Sequence, residues 1–172
     1  MTKEKQEEQM KEKKIFFITQ AAMIAAIYIV LTVLSNQFGL ANGAIQIRLS
    51  EALTVLPYFT GAAVPGLYVG CLLSNIFTGC CLLDIIGGSF ATLLGAVLTR
   101  KIRHFHWLLP VPPIIANMVI VPLVLIYGYG VTQAWWYLVF TVGIGEILSC
   151  GVLGMGVWMG LQRYGSVFPF ER

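Results

Sequence analysis

Two long apolar tracts dominate the chain. From Ile15 to Thr99 the charged residues are Arg48, Glu51 and Asp84 alone, and from Trp107 to Gln162 Glu146 alone. A helix needs about 20 apolar residues to cross the hydrocarbon core of a bilayer, so the first tract has room for four spans and the second for two. Gly, Pro and Asn punctuation at 35–43, 61–66, 79–84 and 127–133 divides them into helices expected near 15–34, 51–62, 65–79, 84–99, 110–127 and 135–160. The segment 51–62 is the weakest of these, because an apolar stretch of about 10 to 14 residues is more often buried or re-entrant than spanning. Pro110, Pro112 and Pro113 suit a first helical turn. Pro57 and Pro122 fall inside helices, where each is expected to free a carbonyl and bend the backbone.

Composition turns that pattern into a class. Of 172 residues, 58% are hydrophobic and 11% charged, against roughly 25% charged in an ordinary soluble domain. The expected fold is therefore an all-α membrane protein, a six-transmembrane-helix bundle over 15–163, with a solvated polar tail at 1–14 (MTKEKQEEQMKEKK) and a short tail at 164–172. The apolar run Ile15 to Leu34 exceeds the about 7 to 15 residues of a cleavable signal and reads as a retained first helix. Lys13, Lys14, the cluster Arg100, Lys101 and Arg103, and Arg163 belong on the cytoplasmic side, which places both termini there.

Cys71, Cys80, Cys81 and Cys150 lie in apolar sequence without a histidine at a metal-ligand spacing, and are expected to be small packing residues. His104 and His106 sit among Arg100, Lys101 and Arg103, which repel a cation, so a basic juxtamembrane loop is expected there and no metal or cofactor is implied. Small residues recur four apart: Ala21 with Ala25, Ala22 with Ala26, Gly66 with Gly70, and Gly156 with Gly160. Such spacing lets backbones approach closely in lipid. It serves internal packing or, on the first helix, docking of another membrane subunit.

Topology then gathers the polar residues. With the tail inside, the outer connections are 35–50, 79–84 and 127–134, and Gln46, Arg48, Glu51 and Asp84 all map to that side. Ile45 to Ser50 alternates apolar and polar residues, the period of an extended segment, which puts Gln46, Arg48 and Ser50 on one face. Ser50 is placed to cap the next helix, with Glu51 in its favourable first turn. Asn75 falls near the outer end of the third helix and Asn117 midway along the fifth. Glu146 is eleven residues past Trp135, about 16 Å down a helix. A carboxylate at that depth costs at least roughly 2.5 to 3.5 kcal/mol unless it faces the bundle interior or a wet cavity.

Local pairings offer one account of these groups: Arg48 with Glu51, Asn117 with Glu146, and Asp84 as a helix cap. The charge balance argues for another. Glu51, Asp84 and Glu146 oppose Arg48 alone, and an unbalanced site of that kind either protonates or awaits a cation. A cationic ligand, or one rich in N–H donors, is expected. Phe38, Tyr127, Tyr129, Trp135 and Trp136 flank the same region; they suit an interfacial belt, with one or two left to stack on a planar ring.

The chain has no G-x-x-x-x-G-K-[ST] phosphate loop, no H-E-x-x-H zinc helix and no G-x-S-x-G elbow; GGSFA at 87–91 lacks the final glycine. A membrane enzyme is disfavoured. A solute-binding transport subunit and a structural or channel-like membrane protein remain, and a channel would spread polar positions through the depth of the bundle instead of concentrating them outward.

IQIRLSEALTVLP, PGLYVGCLLSN, DIIGGSFATLLGA, PPIIANMVI and the glutamate of VGIGEILS together resemble the QueT-type queuosine-precursor transporters, substrate-binding (S) components of energy-coupling factor (ECF) transporters. The resemblance runs from about Ile15 to Gly160. It implies a six-helix S component in the cytoplasmic membrane of a bacterium, Gram-positive by expectation, that captures 7-aminomethyl-7-deazaguanine or a close analogue, another vitamin-like planar amine being the alternative. It also implies docking through Ala21, Ala22, Ala25 and Ala26 onto a transmembrane scaffold subunit and two cytoplasmic ATPases, which would supply the energy this chain lacks a motif to use. The expected ligand-binding residues are Gln46, Arg48, Glu51, Asn75, Asp84, Asn117, Trp135 and Glu146. Among them, Glu146 and Asp84 are the expected partners of the guanine-like edge and the aminomethyl cation, and Arg48 is expected to position Glu51.

Overall fold

The computed structural model describes residues 3–40 and 45–164. The end of the expected break at 35–43, Ala44 and the tail residues 165–172 lie outside them. Helix α1 spans Lys3–Gln37, followed by a 3-10 helix over Leu49–Tyr58, then α2 (Ala63–Phe77), α3 (Leu82–Lys101), α4 (Val111–Tyr129) and α5 (Trp135–Glu146). A π-helical stretch, Ile147–Leu153, runs on from α5 into α6 (Gly154–Tyr164).

Four helical stretches are long and apolar enough to cross a membrane: Lys3–Gln37, Leu82–Lys101, His106–Tyr129 and Trp135–Arg163. The fifth, α2, has 15 residues, about 22 Å at 1.5 Å per residue. The segment expected as a helix at 51–62 is instead the ten-residue 3-10 helix. Its rise of about 2.0 Å per residue carries ten residues through roughly 20 Å, more than an α-helix of that length would cover. The hydroxyl of Thr54 donates to the carbonyl of Glu51 at 2.6 Å, and Pro57 inside the helix has no N–H to give an α-helical bond. The polar residues 3–14 continue α1 as an exposed helical extension. Pro122 is buried within α4, which runs on to Tyr129.

The helices pack as neighbours in chain order, α1 on α2, α2 on α3, α3 on α4 and α4 on α5, while the 3-10 helix lies among them against α1, α3, α6 and the π stretch. Its residues Ser50 to Val55 are all buried. Large apolar side chains face outward instead, among them Ile18, Met23 and Val30 on α1, Ile86 and Phe90 on α3, and Ile115 and Val119 on α4. That inversion suits a bundle solvated by lipid, where close backbone packing drives association.

The α1–α2 seam shows this packing. A Cβ at Gly66 would lie 2.7 Å from the carbonyl oxygen of Ala21, and one at Gly70 would lie 2.8 Å from Cβ of Tyr28 and 3.0 Å from Cα of Ala25. Ala25 is thus buried against α2 and Ala21 half-buried at the same seam, while Ala22 and Ala26 are exposed. Gly156 and Gly160 have the same spacing and nothing within 4 Å of an added Cβ.

Candidate functional site

The sequence places polar residues at the ends of several helices, and the fold brings those ends together. A cavity of about 580 Å³ opens at the end of the bundle remote from Lys13, Arg100 and Arg163, lined by Thr32 and Asn36 of α1, Asn75 of α2, Asp84 of α3, Tyr129 of α4 and the Gln46–Arg48 segment. That volume falls within the roughly 300 to 1,000 Å³ of small-molecule sites. Deeper lies a compartment of about 20 Å³, lined by Glu51, Gly88, Thr92, Asn117, Val142 and Glu146. Gln46, Arg48 and Val121 line both spaces and form the neck between them.

The neck segment is extended through Arg48 before the 3-10 helix begins. Ser35 Oγ accepts from the N–H of Leu49 at 2.9 Å, and Ser149 Oγ accepts from the N–H of Arg48 at 3.2 Å. A Cβ at Gly145 would collide with the carbonyl oxygen of Gln46, so glycine at 145 is what lets this segment lie against α5. Ser50, expected as a helix cap, is not one. Arg48 holds the cap position without a side-chain bond, and Ser50 Oγ is buried beside Thr32 Oγ1 at 2.9 Å.

The charged groups divide between the two spaces. In the outer one, Asp84 Oδ2 accepts from the Tyr129 hydroxyl at 2.9 Å and faces Arg48 at 3.9 Å. Asn75 Nδ2 donates to the Asp84 carbonyl at 3.2 Å. In the inner one, the Tyr28 hydroxyl donates to Glu51 Oε1 at 2.6 Å, and Asn117 lines the same space as Glu146. Cys150 Sγ lies 3.3 Å from Glu146 Oε2 and 3.5 Å from the Glu51 carbonyl oxygen. One carboxylate oxygen each from Glu51 and Glu146 and the Cys150 sulfur all lie within 4.8 Å of one another. Glu51 is 1% exposed, yet its Oε2 has no hydrogen-bond partner among the described residues.

Of the three local pairings, Asn117 and Glu146 do line one space together. Arg48 pairs with Asp84 rather than Glu51, and Asp84 spends its carboxylate on Tyr129 and Arg48 rather than on a helix terminus. Arg48 makes its ion pair with Asp84, so the two buried acids Glu51 and Glu146 share the inner space with a guanidinium that is already engaged elsewhere.

Seven of the eight expected binding residues line one or both spaces. Trp135 does not: it opens α5, 50% exposed, as do exposed Tyr127 and Trp136 elsewhere on the surface. Tyr28, Ser149 and Cys150 were not legible as site residues, because each lies in an apolar or small-residue context with no local signal. Cys150, expected as packing, is turned onto the carboxylates by the π-helical stretch; such widened turns recur at functional sites.

A sequence model described as QueT transporter matches residues 18–163. The curated Queuosine precursor transporter QueT of Lactococcus lactis subsp. cremoris (strain MG1363) is 33% identical over 103 residues, a stretch that covers 57% of this chain and 60% of that relative. No solved structure matches the chain. The apolar helical bundle fits a membrane transporter, and the family match, running from residue 18 within α1 to residue 163 within α6, establishes that the chain belongs to the QueT transporter family.

Proposed function

We propose that this chain is the substrate-binding (S) component of an ECF-type transporter and takes up a queuosine precursor, 7-aminomethyl-7-deazaguanine or a close analogue. The observation that carries the reading is the pair of buried carboxyl groups, Glu51 and Glu146, lining a nearly closed space whose Arg48 is already paired with Asp84, in a member of the QueT transporter family. A similar relative is named a queuosine precursor transporter, and an aminomethyl-deazaguanine combines a cation with a nitrogen-rich planar ring. Carboxylates and amides that both donate and accept suit those two features.

In this reading all six membrane-embedded segments, the 3-10 helix and α2 included, form the S-component bundle. It sits in the bacterial cytoplasmic membrane with both termini in the cytoplasm and the cavity facing out, so the basic end lies inside as the positive-inside rule requires. Gln46 and Asn75 read ring nitrogens and the carbonyl, Asn117 stands by the inner carboxyl groups, and Arg48 with Asp84 shapes the neck. Energy comes from two cytoplasmic ATPases through a transmembrane scaffold subunit. The outward residues Ala22 and Ala26 offer that scaffold a smooth strip of α1.

Calorimetry on the detergent-solubilised chain, titrated with 7-aminomethyl-7-deazaguanine, is expected to give saturable one-to-one binding. Absence of heat, together with no nitrogen-rich small molecule found by mass spectrometry in the purified protein, would return the bundle to a structural role. For the partner surface, Ala22→Leu combined with Ala26→Leu is expected to block assembly with the scaffold and abolish uptake, while ligand affinity of the isolated chain stays unchanged. Co-purification of an intact complex from cells carrying that double variant would place the interface elsewhere.

A further inference from the structure

We infer that the inner compartment is a seat for one primary ammonium group, held between Glu51 and Glu146, with the ligand's ring left in the outer cavity. This assignment rests on the transport reading above and adds which acids take which part of the ligand.

Size is the first argument. The inner space of about 20 Å³ suffices for a single water-sized group, and a primary ammonium head is of that size whereas a bicyclic ring is far larger. The outer cavity, about 580 Å³, takes the ring with room to spare. Continuity is the second. Gln46, Arg48 and Val121 line both spaces, so a ring resting on that neck needs only a short arm to send its amine inward.

Charge and donor count give the third. Asp84 already faces Arg48 and accepts from Tyr129, so the outer acid is partnered before any ligand arrives. Glu51 Oε2 has no partner among the described residues, although the side chain is buried and lines the inner space. A buried acceptor left bare costs more than a neutral hydrogen bond returns. An ammonium group brings three donors: one for Glu51 Oε2, one for a Glu146 oxygen and one for a neighbouring amide oxygen such as that of Asn117. Arg48 lines the inner space as well, but its ion pair is with Asp84, which leaves Glu51 Oε2 open to the ligand.

The test uses the solubilised wild-type chain and three ligands: 7-aminomethyl-7-deazaguanine, its 7-cyano counterpart, and the analogue whose arm ends in a dimethylammonium. The primary amine is expected to bind roughly 10- to 100-fold more tightly than the nitrile, the range spanned by hydrogen bonds to charged groups. The dimethylated arm, charged but too wide, is expected to lose as much. Glu51→Gln is expected to shrink the preference for amine over nitrile. Equal affinity for amine and nitrile, or for the primary and dimethylated amines, would overturn the assignment and leave the transport reading standing. Binding of none of the three would overturn both. One equivalent of divalent metal retained by the ligand-free protein and lost in Cys150→Ala would give the compartment to a metal ion instead, and would likewise overturn it.

Discussion

Glu146→Gln is expected to weaken precursor binding by roughly 10- to 100-fold, since loss of a charge-assisted hydrogen bond is worth about 1.5 to 3 kcal/mol and the ligand's charge then loses one of its two counter-ions. The same substitution is expected to leave the empty bundle as stable as before, or more so. Glu146 is buried, and a neutral amide of the same shape removes an acid whose charged form the bilayer interior penalises. Binding and folding should therefore move in opposite directions, the pattern expected where a functional group is held at the expense of stability. Calorimetry reports the first and thermal unfolding in detergent the second. Unchanged affinity would remove Glu146 from the site, and a collapse of stability would make it a structural residue.

Gly70→Leu is expected to do the reverse and attack the fold first. Its Cβ would lie 2.8 Å from Tyr28 Cβ and 3.0 Å from Ala25 Cα, contacts that only movement of α1 away from α2 can relieve. Overpacking of this sort costs about 1 to 3 kcal/mol and sometimes more. The displacement reaches the site as well, because Tyr28 carries the 2.6 Å bond to Glu51. Gly160→Leu is the matched control, with nothing within 4 Å of its Cβ. The Gly70 variant should unfold at a markedly lower temperature and bind precursor poorly, and the Gly160 variant should do neither when tested as an isolated chain. Equal melting temperatures for the two would show that the α1–α2 seam is looser than these distances imply.

The long apolar helices were readable because a bilayer demands long apolar runs, and Gly and Pro punctuate them. The deep charges were readable for a related reason: Glu146 is conspicuous where each neighbouring residue is apolar, and its energetic cost demands an interior position. The stretch Gln46 to Glu51 was readable as extended chain entering a short helix, and the structure follows that outline. Its helix type was not, since ten residues with Pro57 near the end satisfy either geometry until the surrounding helices decide how much depth must be covered.

The docking strip illustrates the limit. Ala21, Ala22, Ala25 and Ala26 are equivalent by spacing, and only the facing Gly66 and Gly70 show that Ala21 and Ala25 lie at the α1–α2 seam. Partner choice among the charges is similar. Sequence proximity favours Arg48 with Glu51, yet Asp84, distant in the chain, is closer to the guanidinium because α3 brings its first turn beside the neck. Tyr28 and Cys150 carry no sequence signal at all, and they become polar partners of Glu51 and Glu146 because α1 and the π-helical turn aim them there.

The sequence by itself determined the class, the membrane-embedded segments and the excess of buried acid, because each follows from the cost of exposing polar groups to lipid. Tertiary structure alone decided which acids stand together, which is already neutralised and how small the space between the other two is, because those depend on helix contacts between residues far apart in the chain.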